Sequence, residues 1–278
     1  MSRAEMRLPQ LRPLGGTLRR DAWWLQPGLT FLGLMTFIVY STWAAHQGTH
    51  YWLEKGGAHY LSPFYSPELV GYSPHAIFGP PPDWLLKIWP SFLPFSPALL
   101  ILWAPGGFRF TCYYYRGAYY KAFWADPPSC SVGEPGFRGK KYRGEAKFPL
   151  ILQNVHRYFM YIALPFLLLL AWDAVTSYVF VREDGSKHFG IGVGSLILTI
   201  NPILLGCYTL GCHSLRNIWG GRHDCLSEHP IDRVRYNCVT CLNKKHMLYA
   251  WVSLFWVGFT DLYVRMCSMG VWTDVRIL

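Results

Sequence analysis

Charged side chains are scarce in this 278-residue sequence: Asp, Glu, Lys and Arg make up 15% of it, with 16 acids against 26 bases. Hydrophobic residues account for 51% and aromatics for 17%, more apolar than a soluble domain of this length. Composition therefore points to a membrane protein. The net charge of +10 does not bring a nucleic-acid partner with it, because the bases lie between apolar runs instead of on one face of a soluble fold. No dinucleotide-binding glycine fingerprint and no ferredoxin-like four-cysteine run is present, so neither of those chemistries is expected of this chain itself. The first apolar run follows about twenty basic, Pro-rich residues and has no small-residue cleavage site, so it is expected to stay as a helix. No internal repeat and no pair of broken helices marks a transporter.

What the sequence does have is five long apolar runs, at about 23–45, 84–107, 148–181, 190–219 and 246–271. Roughly twenty residues rising 1.5 Å each cross a hydrocarbon layer of about 30 Å. The expected fold class is an all-α integral membrane bundle of five transmembrane helices spanning residues 22–272, with an arm at 1–21 and a short tail at 273–278. Pro90, Pro94, Pro97 and Pro105 predict kinks in the second run. The arm, the loop at 108–147 and the connection at 214–245 hold 19 Lys and Arg, the opposite segments 4. By the positive-inside rule the N-terminus is cytoplasmic and the C-terminus outside.

On the positively flanked side, the stretch GCYTLGCH at 206–213 sets Cys207, Cys212 and His213 at the end of an apolar run, with His156 and His246 at equivalent ends of two others. Seven of eight cysteines belong to that side, a reducing compartment where structural disulfides are rare. Imidazoles near hydrocarbon are costly unless they serve a purpose. Cys238 and Cys241 form a C-x2-C that can chelate a metal, and with His223 and Cys225 they offer a local zinc site as one alternative. A second C-x2-C is lacking, as is the C-x-H with C-x2-H pair of soluble Rieske domains. A single haem b between two of the three histidines is another alternative, but it leaves the thiols unexplained. A 2Fe-2S cluster with cysteine and histidine ligands uses both residue types. The metal-ligating candidates are therefore His156, His213, His246, Cys207, Cys212, Cys238 and Cys241, and spacing does not choose four among them. Arg157, Tyr158, Arg216, Trp219 and Tyr249, near the same helix ends, are the candidate donors to a quinone. Asp173, Asp261 and Arg265 would be the pathway residues of a transporter; a purely structural anchor is a third class.

Five spans, inner-side histidines, the CHSLRNIWGG stretch from Cys212 to Gly221 and the Cys-rich connection together resemble the membrane-anchor (cytochrome b-type, C) subunit of succinate dehydrogenase, respiratory complex II. The likeness covers residues 20–272 and is greatest to the single-anchor actinobacterial type, in which a Rieske-like 2Fe-2S cluster stands in place of haem. It implies a chain that binds the flavoprotein, with its FAD, and the iron-sulfur subunit, and that passes electrons to quinone without holding the succinate site. The basic residues Arg109, Arg116, Arg138, Lys140, Lys141 and Arg143 would then form the dock for soluble subunits or meet lipid headgroups. A higher oligomer of the complex is compatible with the resemblance.

Overall fold

The structure, a computed structural model, describes residues 21–123, 151–182, 184–221 and 223–278. Most of the N-terminal arm, and Cys130, Arg138, Lys140, Lys141 and Arg143 of the basic loop, lie outside the described residues. Among those described, four helices are long and apolar enough to cross a membrane: α1 (Leu25–Gln47), the stretch Asn154–Thr176 of α6 (Ile151–Thr176), α7 (Val193–Leu210) and α10 (His246–Ser268). Their exposed residues include Leu29, Leu32, Leu168 and Trp172, apolar side chains suited to lipid. Buried positions fall most densely on α10, which packs against α7 and α1 and holds the centre of the bundle.

The expected second span at 84–107 is not one helix. Helix breaks divide the stretch 83–123 into α2 (Asp83–Ile88), α3 (Pro97–Ile101), α4 (Trp103–Thr111) and, beyond the expected span, α5 (Tyr113–Phe123). Proline is the cause at the first break: it supplies no backbone donor and pushes the preceding residue into extended backbone, and Trp89 before Pro90 has ψ of 136°. Despite the breaks, α4 packs along α6 and α5 along α1. Gly107 makes the first contact possible, since a Cβ there would fall 2.2 Å from the Phe159 ring.

The fourth expected span also ends early. α7 stops at Leu210, and the chain turns at Gly211 and Cys212 before α8 (His213–Gly220). A Cβ on Gly211 would lie 3.2 Å from the Leu242 carbonyl carbon, so glycine lets α9 (Pro230–Asn243) press its end into the break. Much of the connection at 220–245 is thus helical.

At the opposite end of the bundle, the segment 46–83 contributes a hairpin, β1 (Trp52–Lys55) with β2 (Ala58–Leu61). A second hairpin, β3 (Val179–Val181) with β4 (Lys187–Phe189), ends what was read as span three. The C-terminal residues are tied in by backbone bonds between Ile277, Leu278 and Ile191. Asp261 and Arg265 are fully buried here. They pair at 3.4 Å, with Tyr40 and Ser62 donating to Asp261 and Arg265 donating to the Thr49 carbonyl at 2.9 Å. Asp173 accepts from Ser66 and lies 3.6 Å from His75. These acids are internally satisfied, which favours a structural role over a transport path.

Candidate functional site

Two breaks in the helices create the site, and they are built alike. After α4, Cys112 takes an extended conformation (φ −61°, ψ 134°); after α7, Cys212 does the same (φ −68°, ψ 142°). In each case the residue four further on is an arginine whose backbone N–H donates to the cysteine carbonyl, Arg116 at 2.9 Å and Arg216 at 3.1 Å, which starts the next helix. Each break thus carries a cysteine between two helices, and both thiols are buried.

α6 and α10 bring the imidazoles. His156 Nε2 lies 3.1 Å from Cys212 Sγ, and His246 Nε2 lies 3.6 Å from Cys112 Sγ. The four side chains are at most 6% exposed and line one cavity of about 310 Å³ together with Thr111, Tyr113, His213 and Ser214. Thr111 Oγ1 is 2.9 Å from His156 Nδ1, which fixes that ring and leaves Nε2 facing the cavity. The Ser214 N–H donates to Cys212 Sγ at 3.3 Å. Burial pushes the Cys212 thiol up to about 11. His246 Nδ1 is buried with no hydrogen-bond partner.

Behind each imidazole stands an aromatic ring. Phe108 stacks on His156 at 4.7 Å and 9°, and Tyr208 stacks on His246 at 4.9 Å and 18°. The same two residues, with Arg109 and Thr209, form one end of a second cavity of about 330 Å³ whose other walls are largely apolar, among them Phe37, Phe64, Leu167, Leu205 and Val257. The two cavities are therefore divided by a shared wall made of these two stacked ring pairs.

This arrangement separates the residues singled out in the sequence. His156, His246 and Cys212 converge; His213 lines the same cavity but is exposed, its ring 6.4 Å from that of His246. Although exposed, His213 is partly desolvated by its surroundings, and this, then the Arg216 charge, holds it below the usual imidazole range. Cys207 is half-buried on α7 and does not line the cavity, while Cys238 and Cys241 are exposed on α9. His223 pairs with Asp232 at 2.8 Å and lies against His229 instead of joining that C-x2-C. Among the quinone candidates, Arg157 and Tyr158 are exposed. Arg216 is held by Tyr236 and Thr240, Trp219 lies under Arg235, and Tyr249 packs into the core. None of the five lines the apolar cavity. Arg109, read as a docking residue, turns inward to Tyr115 and Ser253. Cys112, which was not singled out in the sequence, lines the same cavity; the C-x3-R spacing it shares with Cys212 was the available signal.

The donor set can be judged for what it could hold. Among the described residues no three His, Cys, Asp or Glu side chains crowd one point as a single ion would require. The four donors instead stand as two His and Cys pairs, which suits a group larger than one ion. Two thiols and two imidazoles are the donor set of a Rieske-type 2Fe-2S cluster, and among the described residues nothing satisfies the buried His246 Nδ1.

Comparison with known proteins follows the same line. Residues 25–270 match the family described as actinobacterial succinate dehydrogenase subunit SdhC. A chain of the Mycobacterium smegmatis Sdh1 complex in the apo form is similar over 98% of both chains, with 41% identity and a TM-score of 0.79. No curated protein sequence matches significantly.

Proposed function

This chain belongs to the actinobacterial succinate dehydrogenase subunit SdhC family and is a membrane subunit of that enzyme complex; from that premise we propose that Cys112, Cys212, His156 and His246 hold a 2Fe-2S cluster that feeds electrons to quinone. The observation that carries this reading is the convergence of two buried thiols and two buried imidazoles, drawn from four separate segments, on one cavity. Bound there, the cluster supplies a one-electron carrier whose imidazole ligation raises its potential toward that of quinones. A haem b between His156 and His246 would leave both thiols without a role.

The protein's own residues divide the remaining work. Thr111 sets the tautomer and plane of His156, and the Ser214 amide favours charge on the Cys212 sulfur. Phe108 and Tyr208 hold the two imidazoles by stacking and close the site from the apolar cavity. That cavity suits a quinone: a slot of apolar side chains for the tail, and Arg109 and Thr209 near the shared wall as donors to a quinone oxygen. The wall keeps water from the centre while leaving the quinone ring and the imidazoles within a ring's thickness.

The topology follows the same reading. The broken segment α3 to α5 makes the fifth crossing, backed by α6 and α1, which satisfies the requirement that irregular backbone at membrane depth be buried in protein. The site then lies toward the cytoplasmic face of the bacterial plasma membrane, where the flavoprotein and iron-sulfur subunits dock, and the hairpins lie outside.

The test is pulsed electron paramagnetic resonance on the reduced whole complex, grown with natural and with 15N-labelled histidine. Couplings to two histidine nitrogens that change isotope with the label are expected. A cluster signal without histidine couplings, or a haem band in the visible spectrum, would overturn the assignment.

A further inference from the structure

Arg109 sits at the shared wall, and among the described residues it has no acidic partner. Its guanidinium donates to Tyr115 Oη at 2.7 Å, to Ser253 Oγ at 2.9 Å and to the Ala250 carbonyl at 3.3 Å, all neutral groups. Among the described residues the ion pairs lie elsewhere, at Glu54, Asp173, Asp232 and Asp261. The guanidinium carbon lies 4.7 Å from the centre of the Tyr208 ring, and that ring stacks on His246. A full positive charge, which a guanidinium always carries, is therefore held two contacts from one proposed ligand and three residues before another, Cys112.

Arg109 is half-buried, and even partial burial of a cation beside neutral groups is costly; the anchoring is too specific for lipid snorkelling, because three oxygens from α5 and α10 hold one side chain. A centre with two thiolate and two imidazole ligands gains one negative charge for each electron it accepts. In a low-dielectric interior a fixed cation nearby favours the reduced form. We propose that Arg109 is a positioning residue of electrostatic kind, a permanent charge that raises the reduction potential of the centre and so makes it a better acceptor from the soluble iron-sulfur partner. This rests on the cluster assignment above. Tyr115, whose hydroxyl also donates to the Ala250 carbonyl at 2.6 Å, and Ser253 serve to keep the charge in place.

The experiment is a redox titration of the cluster's paramagnetic signal in the intact complex, comparing wild type with Arg109→Gln, Arg109→Lys and Ser253→Asp. Removing the charge, or neutralising it from the other side with a carboxylate, is expected to weaken the one-electron reduction equilibrium about tenfold, a fall of about 59 mV. Arg109→Lys keeps the charge and is expected to titrate with wild type. Ser253→Asp reads the same quantity should Arg109→Gln not assemble. Signal-bearing variants that all titrate with wild type would overturn the proposal, as would a Lys variant that falls as far as Gln. A wild-type complex with no such signal would overturn the cluster assignment itself, and this inference with it.

Discussion

At the scale of single residues, the chemistry depends on groups that ligate nothing themselves. Thr111 is the clearest case, because its hydroxyl holds His156 Nδ1 and sits one residue before Cys112. Thr111→Val keeps the shape and removes the hydrogen bond. Loss of such a partner typically costs about 10- to 100-fold in metal affinity or activity, so purified Thr111→Val complex is expected to carry less iron at this site, with succinate-driven reduction of a soluble dye by the partner subunits unchanged. Equal iron and equal quinone reduction would show that the bond is incidental. The sequence made His156, His246 and Cys212 legible through their positions at the ends of apolar runs. It could not make Thr111 legible, since a threonine within such a run is ordinarily bonded only to its own helix, as Thr111 also is to the Gly107 carbonyl at 2.7 Å.

At the scale of elements, what matters is where helices stop. Long apolar runs read as continuous spans, and for α1, α6 and α10 that expectation matches the helices to within a few residues at most ends. It fails at α4/α5 and α7/α8, because apolar composition is indifferent to a single residue in extended backbone. Those two breaks are the places that carry the thiols. The paired C-x3-R pattern was present in the sequence, yet without the fold it looks like two ordinary stretches of arginine at the membrane boundary. The C-x2-C at 238 and 241 drew attention by spacing, but on α9 the two thiols share an exposed face while the buried residue of that turn is Val239. Elements also shape the apolar cavity between α1, α4, α6 and α7. Leu167 on α6 lines it, and Leu167→Trp would fill part of its roughly 330 Å³. The KM for quinone is expected to rise about tenfold or more, equivalent to about 1.4 kcal/mol of lost binding, while the cluster's potential stays put. An unchanged KM would place quinone elsewhere.

At the scale of the whole molecule, the site is a property of the tertiary fold. Cys112 and His246 are 134 positions apart, and His156 and Cys212 are 56 apart, so no local spacing rule could have paired them. The opposite end of the bundle supplies rigidity instead of chemistry: the buried Asp261 and Arg265 pair ties α10 to α1 and to the Thr49 carbonyl, and α10 in turn presents His246 to the other end. Family membership and succinate dehydrogenase partnership place this chain in a complex, and the geometry brings three of the seven candidate donors, His156, His246 and Cys212, together with Cys112. The most direct measurement is the electron paramagnetic resonance spectrum of the reduced complex carrying Cys112→Ser, set beside Cys238→Ser. The signal of a histidine-ligated 2Fe-2S cluster is expected to be lost or strongly altered in Cys112→Ser and unchanged in Cys238→Ser; an unaltered signal in Cys112→Ser, or its loss in Cys238→Ser, would contradict the site described here.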